Sequence, residues 1–209
     1  MGRVRLRRRE CESSPQLATV KSPRRAVLAD VPTWELINML ANSRGMNAEP
    51  QEPNAHVIFE MAVDEDGWPP AASERVWAFH LGGDEYRIDN PPWFVTDLAV
   101  GDVVRAHAPD AQSHPVFVEM VRRSDHVTIR LIVFRRGPFE GDLGRALQPF
   151  TALGVYGEGA PQYGMLTLDI EPTAPLPAIV STLRRGSEDG SWEYEEARMT
   201  QAWIEATAI

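Results

Sequence analysis

From His56 to Arg123, apolar residues recur in short runs at a period of two. In HVIFEMAVD, Val57, Phe59, Met61 and Val63 alternate with His56, Glu60 and Ala62, interrupted at Ile58. That spacing is the pattern of a half-buried strand. ERVWAFHL reads as a second strand, GGDE as a turn and YRID as its hairpin partner. In WFVTDLAVGDVVRAHA, Gly101-Asp102 punctuates two short apolar runs, and PVFVEMVRR is a further strand. Five or so short strands with no convincing helix predict a small curled sheet or barrel over 56–123.

The rhythm changes after residue 124. VTIRLIVF is a near-continuous β-branched and apolar strand. Phe139, Leu143, Leu147 and Phe150 then recur at helical spacing, with Gly144 and Pro149 predicting a helix that bends or ends early. VYGEGAPQYGMLTLDI gives two strands around a Gly-Pro turn. LPAIVSTLRRG carries Leu176, Ile179, Val180 and Leu183 on one helical face before a glycine stop. WEYEEARM closes as a strand, with Trp192 and Tyr194 on one face and Glu193 and Glu195 on the other. The order β-α-β-β-α-β predicts a ferredoxin-like arrangement over 124–200. The expected fold class is therefore α+β, with a small β-rich, barrel-like half packed on a ferredoxin-like half and a tail at 201–209.

Before this body, residues 1–55 read as a basic, mostly disordered leader. It holds one short amphipathic helix near 32–43, where Pro32 suits a first turn and Leu36, Ile37, Leu40 and Ala41 form a stripe. MNAEPQEPNA reads as a linker. Charge separates the two parts. Residues 1–45 hold nine Lys/Arg against four acids, whereas the remainder holds 12 basic residues against 26 acids, or −14. The reversal falls near Met46, which also fits a translation start there. The basic opening lacks the apolar stretch of a signal peptide, and no apolar run reaches the length of a membrane span. Cys11 is the single cysteine, so the chain has no intramolecular disulfide and no multi-cysteine metal site. A cytoplasmic protein without membrane association is expected. So acidic a body repels nucleic-acid phosphate; any such binding is expected through residues 1–45 alone.

Catalytic signatures are sparse. In DEDGWPP, Asp64, Asp66 and Gly67 occupy three places of a calcium-loop register, but Ala62 and Ser73 stand at its two ends, so the stretch reads as a turn. Ser124-Asp125-His126 holds the residue types of a catalytic triad contiguously, where neighbours on an extended chain point to opposite faces. The five histidines show no short metal-ligand spacing. In GVYGEGAPQYG, Gln162 stands where the third glycine of a dinucleotide fingerprint belongs. RNA-recognition aromatics are missing, with Arg130 standing among Ile129, Leu131 and Ile132 where a stacking ring is wanted. No catalytic residue, cofactor or metal is expected. The binding-surface candidates are Trp68, Trp93, His126 and Arg130; the plainer reading has Trp68 capping the sheet and Trp93-Phe94 filling the barrel.

DEDGWPP, ERVWAFHLGGDEYRIDNPPWFVTDLAVGDVV, VRRSDHVTIRLIVF and WEYEEA together resemble a family known as domain of unknown function 4265, over roughly Val57 to Glu196. Asp125 and Val127 depart from its pattern, where glycine and then serine or threonine are usual. The resemblance implies a cytoplasmic bacterial domain beginning near Met46 and supplies no activity. The leading expectation is a non-enzymatic binding or interaction module, immunity-like in that it neutralises a basic partner by charge complementarity. The alternatives are a small-molecule enzyme with a pocket at the junction of the two halves, using His126, Arg130 and nearby acids, and nucleic-acid binding through the leader.

Overall fold

The computed structural model describes residues 53–110 and 112–208. They fall within one compact unit, Glu52–Ile209. The leader helix expected near 32–43 and residues 1–52 generally lie outside the described residues.

The chain is mixed α+β and strand-rich. Five strands close a barrel: β1 (Ala55–Glu60), β2 (Ser73–Gly82), β3 (Glu85–Ile88), β4 (Val103–His107) and β5 (Val116–Arg122). Neighbours in sequence pair antiparallel, and a parallel contact between Ile58 and Val116 completes the ring. The period-two pattern explains the filling. Val57 and Phe59 of β1, Val76 and Ala78 of β2, Ile88 of β3, and Val104 and Ala106 of β4 are all buried in its core. The run after Pro91-Pro92 forms no strand. It lies across one end of the barrel and sends in Leu98 and the partly buried Val95. Trp93 and Phe94, expected inside, lie outside that core.

The stretch DEDGWPP follows β1 as a turn closed by its own first acid. Asp64 Oδ1 accepts the Asp66 and Trp68 N–H groups at 2.9 and 2.8 Å. Gly67 takes a φ of 76°, which a side chain resists.

Four strands form the second layer: β6 (Val127–Val133), β7 (Tyr156–Ala160), β8 (Met165–Ile170) and β9 (Trp192–Arg198), in the order β7-β8-β6-β9 with every pairing antiparallel. Helix α1 (Leu143–Thr151) joins β6 to β7, and α2 (Leu176–Glu188) joins β8 to β9. Asp142 caps α1 by accepting the Arg145 N–H. Pro149 lies inside α1, which ends two residues later. One face of the sheet, with Ile129, Leu131, Leu166, Leu168 and Trp192, packs on the helices as the main core. Gly157 and Gly159 belong to this face, where α1 comes so close that an added Cβ meets Leu147 at 2.8 Å and Leu143 at 3.1 Å.

Two expectations need correction. Gly186 does not stop α2; the helix continues to Glu188. The glycine is there because the Trp192 indole packs on it, and an added Cβ falls 2.1 Å from the ring. Gly186→Ala therefore forces a rigid ring to move and is expected to destabilise by about 2 kcal/mol, measured by urea unfolding. Residues 201–207, expected as a tail, form α3 (Gln201–Thr207). Thr200 caps it, and Trp203 is fully buried with its indole N–H on Glu196. A single buried tryptophan provides the reason for this segment to dock, and its lone ring gave no periodic signal.

Candidate functional site

Cross-strand register determines what the other face of the sheet presents, because directly paired residues share a face. Tyr156 pairs with Asp169, which pairs with Thr128. Glu158 pairs with Thr167, and Thr167 with Arg130, which in turn pairs with Glu195 of β9. This face is polar and meets the barrel through residues 89–100.

The contacts are specific. Glu74, at the inward-facing start of β2, accepts the N–H groups of Trp93, Phe94 and Val95 at 2.7, 2.8 and 2.9 Å. Its carboxylate thereby fixes the segment across the barrel end. Trp93 returns its carbonyl to Arg130 Nη1 at 2.8 Å. Arg130 is 4% exposed, with Glu195 at 3.4 Å, and burial lowers its pKa against the pull of Glu195 and Glu74. Thr128 donates to the Leu98 carbonyl at 3.0 Å.

A second tie lies beside Ser124. Asp102 is fully buried and accepts the Ala99 and Ser124 N–H groups at 3.0 and 2.6 Å. Arg198, also buried, donates to the carbonyls of His126 and Ser124 at 2.8 and 2.6 Å and stands 3.9 Å from Asp102. Ser124 Oγ donates to the Val100 carbonyl and accepts the His126 N–H at 3.3 Å.

Of the four candidates, the structure joins Trp93 to Arg130. Trp68, 43% exposed, sits edge-on to Phe94, which sits edge-on to Tyr163. His126 is separate. Its Nδ1 lies 2.8 Å from Asp169 Oδ1, and that bond raises the histidine pKa against the opposing effect of burial, with help from Asp169, Glu171 and Asp102 charge. A histidine whose folded pKa is raised adds stability below its unfolded pKa of about 6.5. That stability disappears as pH rises through the folded pKa. The expected result is that the Tm advantage of wild type over His126→Gln is largest near pH 6 and shrinks toward pH 8; thermal melts across that range check it.

Sequence reasoning missed Tyr156, Glu158, Asp89 and Asn90, which gather where β7 meets the barrel. Tyr156 donates its hydroxyl to Glu158 at 3.0 Å, and Asn90 Nδ2 lies 3.5 Å from the same carboxylate. Burial raises the pKa of Glu158 against the hydrogen bonds from Tyr156 and Asn90, and the Asp89 and Glu74 charges add to the rise. Asp89 is likewise raised by burial, with Arg87 opposing. The available signal was the alternation in YGEG, two polar side chains between glycines, which singles out one face of a strand.

Among the described residues no group of three His, Cys, Asp or Glu side chains is placed to hold a metal ion, and no helix is long and apolar enough to cross a membrane. An open groove of about 520 Å³ lies away from the junction, lined by residues of α2 and α3 that include Val180, Arg184, Arg185 and Ala206.

Comparison with known proteins follows the same architecture. A hypothetical protein from Neisseria gonorrhoeae, known from a crystal structure, is 19% identical with a TM-score of 0.55, over 72% of this chain and 98% of that one. At that identity the likeness concerns the fold. No curated protein matches the chain. The family model described as "Domain of unknown function (DUF4265)" matches residues 74–194, which include Glu74, Asp102, His126, Arg130, Glu158 and Asp169. That is more than half of the 209 residues, and the chain belongs to the DUF4265 family.

Proposed function

We propose that this protein is a non-enzymatic binding module that takes a basic protein partner, immunity-like in working by charge complementarity, on the acidic side of the junction. One observation carries the reading. Glu158 and Asp89 are half-buried, burial raises the pKa of each, the Asp89 charge adds to the rise at Glu158, and neither has a salt bridge among the described residues. Such a surplus of negative charge is unfavourable in the free protein and is relieved by a cation. The −14 balance of residues 46–209 supplies the long-range attraction. A cytoplasmic location is part of the proposal, as is a ferredoxin-like assignment for the second half, which its strand order β9-β6-β8-β7 supports. The test is capture from the native host at low salt, with elution as salt is raised. Recovery of a protein partner that elutes with salt is expected; recovery of none above background overturns the reading.

The His126–Asp169 pair favours a second reading, a small-molecule enzyme. A carboxylate on Nδ1 orients an imidazole whose other nitrogen is then available as a base. A hydrolase substrate panel decides it. This reading requires turnover by wild type that His126→Gln abolishes.

A further inference from the structure

The proposal of a basic partner leaves open which atoms receive it, and the deeper inference here rests on that reading. The candidates are the groove on α2 and α3, the His126–Asp169 pair and the cluster around Glu158. The groove is open, and Arg184 in it already donates to the Thr207 carbonyl. The histidine pair already satisfies its own hydrogen bond. Of the three, the Glu158 cluster combines an unneutralised charge with an unpartnered buried group.

That group is Thr167. It is 0% exposed, and its hydroxyl has no hydrogen-bond partner among the described residues. It stands directly across the strand pair from Glu158, on the same face. Cross-strand neighbours have Cβ atoms about 5 Å apart. A buried hydroxyl without a partner costs about 1–3 kcal/mol, so its placement beside a carboxylate points to a bound group. Glu158 itself is only loosely held. Its Asn90 contact is long, at 3.5 Å, and its better partner is Tyr156, a ring 57% exposed to solvent. The carboxylate is therefore free to turn toward an arriving cation.

The acceptors are spread rather than convergent. Glu158 and Asp89 come from different layers, and they form no metal-ligand group with any third residue described. A point charge that needs a tight oxygen shell does not fit. An ion whose donors point in several directions does, which means the guanidinium of arginine or the ammonium of lysine. Arg87 is the cation that faces Asp89, and its guanidinium lies over the Phe79 ring, 4.7 Å from the centroid. Among the described residues Glu158 has no such neighbour and is the open acceptor. The exposed Tyr156 ring beside it offers a face for cation–π contact.

We infer that Glu158, Asp89, Tyr156 and Thr167 form a subsite for one arginine or lysine side chain of the basic partner. Proton NMR and calorimetry on the full chain test this with N-acetyl-arginine amide and N-acetyl-lysine amide. N-acetyl-norleucine amide serves as the uncharged control, and spermidine as a free amine. The Tyr156 and Thr167 resonances are expected to move with the arginine or lysine probe and not with norleucine. Glu158→Gln is expected to weaken that binding at least fivefold and to fold normally, since it removes a destabilised charge. Glu65→Gln, in the exposed turn, is the charge-matched control and should bind as wild type. No resonance change, or equal binding by Glu158→Gln, overturns the subsite. Spermidine binding more tightly than either peptide probe also overturns it, in favour of a free amine. If Glu158→Gln still captures the basic partner at full strength, the subsite is wrong while the binding-module reading stands. If wild type captures none, that reading fails separately.

Discussion

Asp102→Ala lowers the stability of the folded unit by about 4 kcal/mol. Three groups are stranded together when the carboxylate is removed. The Ala99 and Ser124 N–H groups lose their acceptor, and Arg198 loses the anion 3.9 Å away while remaining buried. An unpaired buried charge is the most expensive of these. The damage falls where the barrel's last strand passes into β6, so both layers feel it. Natural domains have only about 5–15 kcal/mol in total, and for a chain of this size the expected fall in Tm is roughly 8–16 °C. Urea unfolding should show a lower midpoint with an unchanged slope. Asp102→Asn keeps one acceptor oxygen and should fall between. A loss below about 1 kcal/mol in Asp102→Ala would show that the tie is no stronger than a surface ion pair.

Glu74→Ala comes second, at about 3 kcal/mol. The carboxylate accepts three successive backbone N–H groups, and alanine leaves them without protein partners. The segment they hold carries Leu98 and Val95 into the barrel and offers the Trp93 carbonyl to Arg130. Its release therefore loosens the barrel end and the anchor of a buried guanidinium together. Amide hydrogen exchange localises the effect. Protection at residues 93–95 should collapse while the β6–β8 pairing keeps its own. If exchange at 93–95 is unchanged, Glu74 is not what holds that segment.

The strands were legible because each layer of this protein has one apolar face. Val57, Phe59, Val76 and Ala78 mark the barrel interior at period two, and β6 reads as continuous because both of its faces are covered. What escaped depended on tertiary partners. Gly186 looks like a helix stop until Trp192 is seen lying on it. Residues 93–95 open an apolar run, yet their N–H groups go to a side chain 19 to 21 positions away. Trp203 secures α3 with one ring and no repeat.

The site was legible in its residue types and not in its grouping. Arg130 drew notice as a charge inside an apolar strand, and Trp93 as an aromatic near a turn; the fold puts them in direct contact. His126 drew notice beside Ser124 and Asp125, and its partner turned out to be Asp169, 43 residues on. Glu158 and Asp89 passed unremarked because this chain is rich in acids, and what distinguishes them is burial beside each other. A strand register one residue different would send Glu158 to the helix face and dissolve the cluster.

The acidic junction stands or falls with the ionisation of Glu158 in the full chain. Carbon-13 NMR of its carboxyl group, followed against pH, should show titration above the ordinary glutamate value of about 4.3. Saturating N-acetyl-arginine amide should bring that pKa down, because a bound cation stabilises the ionised form. A Glu158 that titrates at the ordinary value, and does so equally with and without the probe, would contradict the account.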